Sequence, residues 1–246
     1  MIRVAVAGYR GKVGAEMARA AESASDLEYV GGVEVGDDLH GFLESKRPRV
    51  LIDFTHPSAA LGNALHAVKH GASPVVGTTG IPADGIDELE QACREAALGG
   101  IVAPNFSIGA VLMMHLAELA APFFPAVEVI EMHHATKADA PSGTALATAR
   151  RLAARRKFEH STPEKVTLAN TRGGEEGAVA VHSVRLPGVV ADQEVIFGLA
   201  GQTLTITHRT TSREAFVPGV LLAVRRVVEE PRFYRGLDEL LGLKQA

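Results

Sequence analysis

The chain has 246 residues, 46% of them hydrophobic and 5% aromatic, with a formal net charge of −4. That is enough apolar material for one or two domains with their own cores, and the negative balance disfavours a general nucleic-acid role. A single cysteine rules out an intrachain disulfide, and no apolar run approaches membrane-spanning length, so a soluble cytoplasmic protein away from any membrane is expected.

The first hundred residues alternate two grammars. IRVAVAG is a short β-rich run ending in glycine, and VGAEMARAA sets Val13, Met17 and Ala21 at helical spacing. LEYVGGVE predicts a second strand and RVLIDFT a third. A helix follows with Leu61, Leu65 and Val68 on one face. SPVVGTTG predicts a fourth strand, IDELEQACREAAL a helix, and GIVAPNF a fifth strand. Strands that are apolar on both faces and alternate with helices imply a parallel sheet covered on both sides. Ligands of such sheets sit outside the carboxyl ends of the strands. Here four of those ends carry GYRGKVG, DFTHP, VGTTG and APNFS. Cys93 falls inside a helical pattern with no activating partner in view, so it is expected to pack rather than react.

A helix with Ile108, Leu112, Leu116 and Leu119 on one stripe closes this part, and the pattern then changes. AVEVIEMHH predicts a strand and SGTALATARRLAARR a helix, with a polar loop expected over 160–176. The basic run from Arg150 to Lys157 lies late in that helix, where positive charge suits the C-terminal end. GAVAVHSVRL, QEVIFGLAG and QTLTITHRT predict strands of a more open sheet, and FVPGVLLAVRRVVEE predicts a closing helix with Val220 and Val224 on one side. The fold class expected is α/β.

Two stretches carry chemistry. Gly8, Gly11 and Gly14 stand between the first strand and first helix, where a pyrophosphate needs a tight turn, a close backbone and a helix N-terminus. Glu34 ends the second strand, placed to accept from ribose hydroxyls. Its carboxylate favours NADH over NADPH, because a 2′-phosphate is repelled there. Arg10 and Lys12 in the loop could meet a 2′-phosphate, Lys12 being equally well a solvated first-turn residue, so use of both nucleotides is expected, NADH at least as well.

The second stretch is EMHHATKADAPSGTA, residues 131–145. His133 and His134 end a strand and point to opposite faces, which does not make a ligand set, so no metal is expected. Histidine titrates near neutrality and Lys137 is a cation, so the pair can hold and deliver a proton. Ser142, Gly143 and Thr144 open a helix whose N–H groups suit a carboxylate, and Asp139 either orients Lys137 or caps that helix. The bland alternative is a capped helix beside two solvent histidines. His40, His160 and His208 have no visible partner, and His56 sits at a strand end near the presumed nucleotide crevice.

The pattern E-x-H-H-x-x-K-x-D-A-P-S-G-T-A resembles the signature of the dihydrodipicolinate reductase family, with support from GYRGKVG, DFTHP, VGTTG, APNFSIGAV and FVPGVLLA. Taken together these resemble its actinobacterial branch. The resemblance implies a Rossmann-like cofactor domain over 1–106 and 216–246. It also implies an α+β domain with an open mixed sheet over 107–215, which binds substrate and forms homotetramers. It further implies that the enzyme reduces a small cyclic-imine dicarboxylate in lysine and diaminopimelate biosynthesis. Gly8, Tyr9, Arg10, Gly11, Lys12 and Val13 would hold the pyrophosphate and Glu34 the ribose. Gly77, Thr78, Thr79, Ala103, Pro104, Asn105 and Phe106 would line the nicotinamide side and the hinge. His133 and Lys137 would serve in proton donation, and His134, Lys137, Gly143 and Thr144 would bind the carboxylates. Some family members have an arginine after the ribose-binding acid. Val35 stands there here, which argues against strict NADPH use.

Overall fold

Val4, Ala5, Val6 and Ala7 are all fully buried, both faces of one short strand at once. A strand of this kind needs neighbours on either side and helices above and below. The computed structural model, which describes residues 1–159 and 163–243, supplies them. In chain order the elements are β1 (Ile2–Ala7), α1 (Gly14–Ser23), β2 (Leu27–Val33), α2 (Leu39–Lys46), β3 (Val50–Asp53), α3 (Pro57–Lys69), β4 (Ser73–Val76), α4 (Ala83–Glu95) and β5 (Gly100–Val102). There follow α5 (Ile108–Ala120), β6 (Ala126–His133), α6 (Gly143–Arg155), β7 (Gly174–Glu176), β8 (Val179–Arg185), β9 (Ala191–Leu199) and β10 (Gln202–Thr210). Last come α7 (Val217–Glu229), β11 (Phe233–Arg235) and α8 (Leu237–Leu240).

The described residues divide into two units, Met1–Ile108 together with 213–243, and Gly109–Ser212. The first holds a six-stranded sheet in the order β11-β5-β4-β3-β1-β2, parallel throughout. This is a Rossmann-like arrangement. α7 returns to cover it, burying Val220, Ala223, Val224 and Val227. Each buried valine of that stripe contributes roughly 1.5–3 kcal/mol. Arg225 on its other side forks onto Asp26 at 2.7 and 3.1 Å.

Under α3 and α4 the residues Ala60, Ala64, Val68, Leu89, Cys93 and Val102 form one apolar cluster. Alanines make the fully buried face of α3, with Leu61 and Leu65 packed at its margin rather than at its centre. The Cys93 thiol is pushed up to about 12, first by burial and then by the charge of Glu90. Native protein is therefore expected to leave a thiol-disulfide reagent unreacted at pH 8, and to consume it only on unfolding. Rapid reaction of the native protein would contradict that burial.

The second unit holds a mixed five-stranded sheet in the order β10-β9-β6-β8-β7. β6 and β8 run parallel, with α6 crossing between them in the chain, and the other pairings are antiparallel. β6 alternates cleanly: Val127, Val129 and Glu131 are buried while their neighbours are not. A charged residue therefore occupies a core-facing position of the central strand.

Leu112, Leu116 and Leu119 share one stripe of α5, as their spacing predicts, and that stripe is its exposed side, at 39%, 49% and 46% exposure. The buried side is made by Ala110, Val111, Met113, Met114 and Ala117. The expected polar loop ends early, because Gly174–Glu176 pairs with β8 as a strand. His40 has partners, with Nδ1 at 2.9 Å from His70 Nε2 and Nε2 at 3.5 Å from Glu44. His208 lies against Gly109 and is half-buried, whereas His160 lies outside the described residues. His56 caps α3, taking a hydrogen bond from the Ser58 N–H. Among the described residues no helix is long and apolar enough to cross a membrane.

Candidate functional site

The glycine turn explains itself by space. Gly8 has φ of +80°, and a Cβ there would stand 2.5 Å from the Phe54 carbonyl oxygen. A Cβ on Gly14 would fall onto the carbonyl of Gly8. The N–H of Gly11 donates to that same carbonyl at 3.0 Å, which closes the turn. β1 and α1 are thus joined with no room for a Cβ at Gly8 or Gly14, leaving a backbone surface of the kind that receives a pyrophosphate in such folds. Beside it a cavity of about 400 Å³ is lined by Gly11, Lys12, Val13, Thr55, Gly77 and Thr79 among others.

Glu34 stands one residue past β2, and its carboxylate accepts the Arg10 N–H at 2.6 Å. The Arg10 side chain lies on Tyr9, with its Nε donating to the Tyr9 hydroxyl at 2.9 Å. Glu34 also lines a second cavity, of about 190 Å³, with Val33, Gly36, Asp37 and Asn63. Asp37 accepts the Glu34 N–H at 2.8 Å, so two carboxylates face this cavity.

Thr78 is buried, and its hydroxyl is committed: it donates to Asp53 at 2.7 Å and accepts the Thr55 N–H at 2.9 Å. Asp53, itself 1% exposed, also receives the Thr55 hydroxyl and the Asn63 amide, both at 2.8 Å. Buried and fully hydrogen-bonded, Asp53 fixes the loops that follow β3 and β4. Gly77 is required there, since a Cβ would strike the Phe54 ring. Thr79 and Pro104 are exposed, Ala103 and Phe106 are buried, and Asn105 Oδ1 accepts the Ser107 N–H at 2.8 Å.

In the second unit the structure gathers His133, Lys137 and the start of α6 around a residue that the pattern of histidines hides. Glu131 is 0% exposed and its carboxylate has four donors. His133 Nδ1 lies at 2.5 Å from Oε2, and Arg185 donates to Oε2 at 2.9 Å and to Oε1 at 2.8 Å. The Ser142 N–H completes the set at 3.2 Å. Burial alone would raise the Glu131 carboxyl, but its hydrogen bonds, led by those from Arg185, outweigh it and hold it below its ordinary range. His133 is pushed down, first by burial. Glu131 opposes this, and the charges of Lys137 and Arg185 reinforce it. The Arg185 fork already neutralises the carboxylate that would otherwise stabilise an imidazolium.

Lys137 donates to Asp139 at 2.7 Å, and the Arg185 guanidinium also binds the Asp139 carbonyl at 2.7 Å. Asp139 therefore orients Lys137, and Ser142 caps α6 by accepting the Ala145 N–H at 3.1 Å. His134 follows the strand end, with its Nδ1 at 2.9 Å from the Thr136 hydroxyl. A Cβ on Gly143 would meet nothing within 4 Å, so open space lies over the first turn of α6. Glu131, Arg185, Asp53 and Asp37 were not picked out from the sequence. Glu131 had a signal, since it lies two residues before His133 and so on the same face of a strand. Arg185 had none until the register pairing His133 with Arg185 was known.

A parallel sheet entered through strand, glycine turn and helix, with an acid just past β2, defines a Rossmann-like dinucleotide-binding unit. The family model described as dihydrodipicolinate reductase, N-terminus, matches residues 2–106, and that described as its C-terminus matches residues 109–241. The chain belongs to the dihydrodipicolinate reductase family. A Moorella thermoacetica protein named 4-hydroxy-tetrahydrodipicolinate reductase is 49% identical to it, over 98% of each chain. One of the same name from Mycolicibacterium vanbaalenii, an actinobacterial relative, is 48% identical over 99% of this chain and 100% of its own. The dipicolinate-bound dihydrodipicolinate reductase from Paenisporosarcina sp. TG-14 matches with a TM-score of 0.88 at 36% identity, covering 97% of this chain and 99% of that one.

Proposed function

We propose that the chain reduces 4-hydroxy-tetrahydrodipicolinate, by way of dihydrodipicolinate, to tetrahydrodipicolinate in lysine and diaminopimelate biosynthesis. The observation that carries this is the cluster of His133, Lys137 and the open first turn of α6, in a chain whose full-length relatives bear that enzyme's name. Reduced nicotinamide, NADH or NADPH, supplies the hydride when bound. The unit that begins at Met1 binds the nucleotide, with Gly8 to Val13 at the pyrophosphate and Glu34 at the ribose. Gly77 to Thr79 and Ala103 to Phe106 serve the nicotinamide end. The unit Gly109–Ser212 binds the substrate and carries the contacts of a cytoplasmic homotetramer.

The substrate has two carboxylates and a conjugated ring imine. Lys137 and His134 pair with one carboxylate, and Gly143 and Thr144 offer N–H groups to the other. Hydride addition at one ring carbon pushes an electron pair toward the adjacent carbon, which takes one proton from the His133/Lys137 cluster. The cations that hold the carboxylates also stabilise the charge that develops. Glu34 and Asp37 place two negative groups at the ribose end, which favours NADH, while Arg10 and Lys12 keep NADPH usable.

The test is the absorbance of reduced nicotinamide, with substrate formed in place from pyruvate and aspartate semialdehyde by the preceding synthase. Oxidation that depends on the synthase, at least as fast with NADH as with NADPH, is the expected result. Intact nucleotide binding with no oxidation would leave a dinucleotide-binding protein whose His133/Lys137 cluster serves another ligand.

A further inference from the structure

We infer that Glu131 is a positioning residue for His133, holding the ring as its Nδ1–H tautomer and tying it to the start of α6. The inference rests on the reductase reading proposed above. A carboxylate buried at 0% exposure is costly unless its lone pairs are filled, and here each oxygen is filled twice. Oε2 takes His133 Nδ1 and one Arg185 N–H, and Oε1 takes the other Arg185 N–H and the Ser142 N–H. An acceptor with no proton of its own leaves His133 only one role at that contact, as donor from Nδ1. The nitrogen that does not face Glu131, Nε2, is then the one that exchanges a proton. After giving it up, the ring is left in the tautomer that Glu131 already holds. The same carboxylate anchors Ser142, the cap of α6, so ring orientation and the carboxylate-binding turn are set by one group. Arg185 links them to Lys137 through Asp139.

Glu131→Gln is the informative change. Each carboxylate oxygen receives one Arg185 N–H, so an amide nitrogen on either side sets N–H against N–H. The amide cannot keep all four donors, and His133 loses its fixed acceptor. Among nucleophile-activating histidines, loss of the tautomer-setting carboxylate lowers turnover strongly with geometry otherwise kept.

The first readout uses the wild-type full chain, so folding of a variant is not at issue. With histidine labelled by ¹⁵N, and the His133 ring assigned by comparison with His133→Gln, proton–nitrogen correlations at pH 8 should show Nδ1 protonated and Nε2 bare. A ring protonated at Nε2 overturns the inference, whether or not the protein reduces the substrate. The second readout is steady-state kinetics of Glu131→Gln. A fall in kcat of roughly 10²–10⁴-fold is expected, with the KM for NADH within about twofold of wild type because that site lies in the other unit. Wild-type kcat in Glu131→Gln would equally overturn it. Absence of turnover in the wild type would sink the reductase reading alone, and the tautomer would still decide this one.

Discussion

Lys137→Ala is expected to lower turnover of the synthase product by about 10²–10⁴-fold, the range that a positioned acid contributes. Lys137 is the cation nearest His133 in sequence after the strand turns, and Asp139 and Arg185 hold its loop. Its removal takes away both a proton source and a partner for a substrate carboxylate. The loss should therefore appear in kcat and again as a raised KM for substrate. NADH affinity, read by fluorescence, should stay within about twofold, since a residue that acts only on the substrate leaves cofactor binding alone. His133→Ala should behave the same way in kcat. Groups that work as a unit are not additive, so the double variant should be little slower than the worse single one. Equal losses of NADH affinity and turnover in Lys137→Ala would remove it from the proton-donating role.

Gly14→Ala should strike the other half of the chemistry. The added methyl would fall on the Gly8 carbonyl and within 3.2 Å of the Tyr9 Cα, and both are backbone. No rotamer relieves such a clash, so α1 must move off β1. Overpacking of this kind costs about 1–3 kcal/mol. For a chain of this size that lowers Tm by roughly 2–4 °C per kcal/mol. NADH affinity should fall about tenfold for each 1.4 kcal/mol of binding free energy that the displaced turn forfeits. Gly143→Ala is the matching control, because a Cβ there meets nothing within 4 Å. Its Tm should be unchanged while the KM for substrate rises. A Gly14→Ala protein with wild-type Tm and NADH affinity would show that the turn tolerates a side chain and is not the nucleotide cradle.

The legibility of the fold followed how each element is stabilised. β1, β3, β4 and β5 are central strands of a parallel sheet, apolar on both faces, and such runs stand out in a sequence. α2 passed unnoticed because it buries only Leu43, so no stripe marks it. β11 is three residues long and owes its place to pairing with β5, a contact that no local pattern announces. The leucines of α5 share one stripe, as their spacing predicts, and the small and sulfur-containing residues fill the buried side. Periodicity finds a face and does not say which way it points. In the candidate site, the polar side chains of EMHHATK could be read directly because they are adjacent. Glu131 and Arg185 lie 54 residues apart and meet only through the parallel register of β6 and β8.

The sheet of the first unit has a consequence for how the protein is made. Its edge strand β11 and its covering helix α7 are translated more than a hundred residues after β5. When Val102 leaves the ribosome, the face that will receive Val220, Val224 and Val227 is still bare. The unit Gly109–Ser212 needs no later segment for its sheet, so it can close while the first sheet still lacks its covering helix and edge strand. The middle of the chain is therefore able to close before its N-terminal part, against the usual N-terminal-first order. A chain truncated after Ser212 should present a folded mixed sheet beside a protease-sensitive N-terminal half.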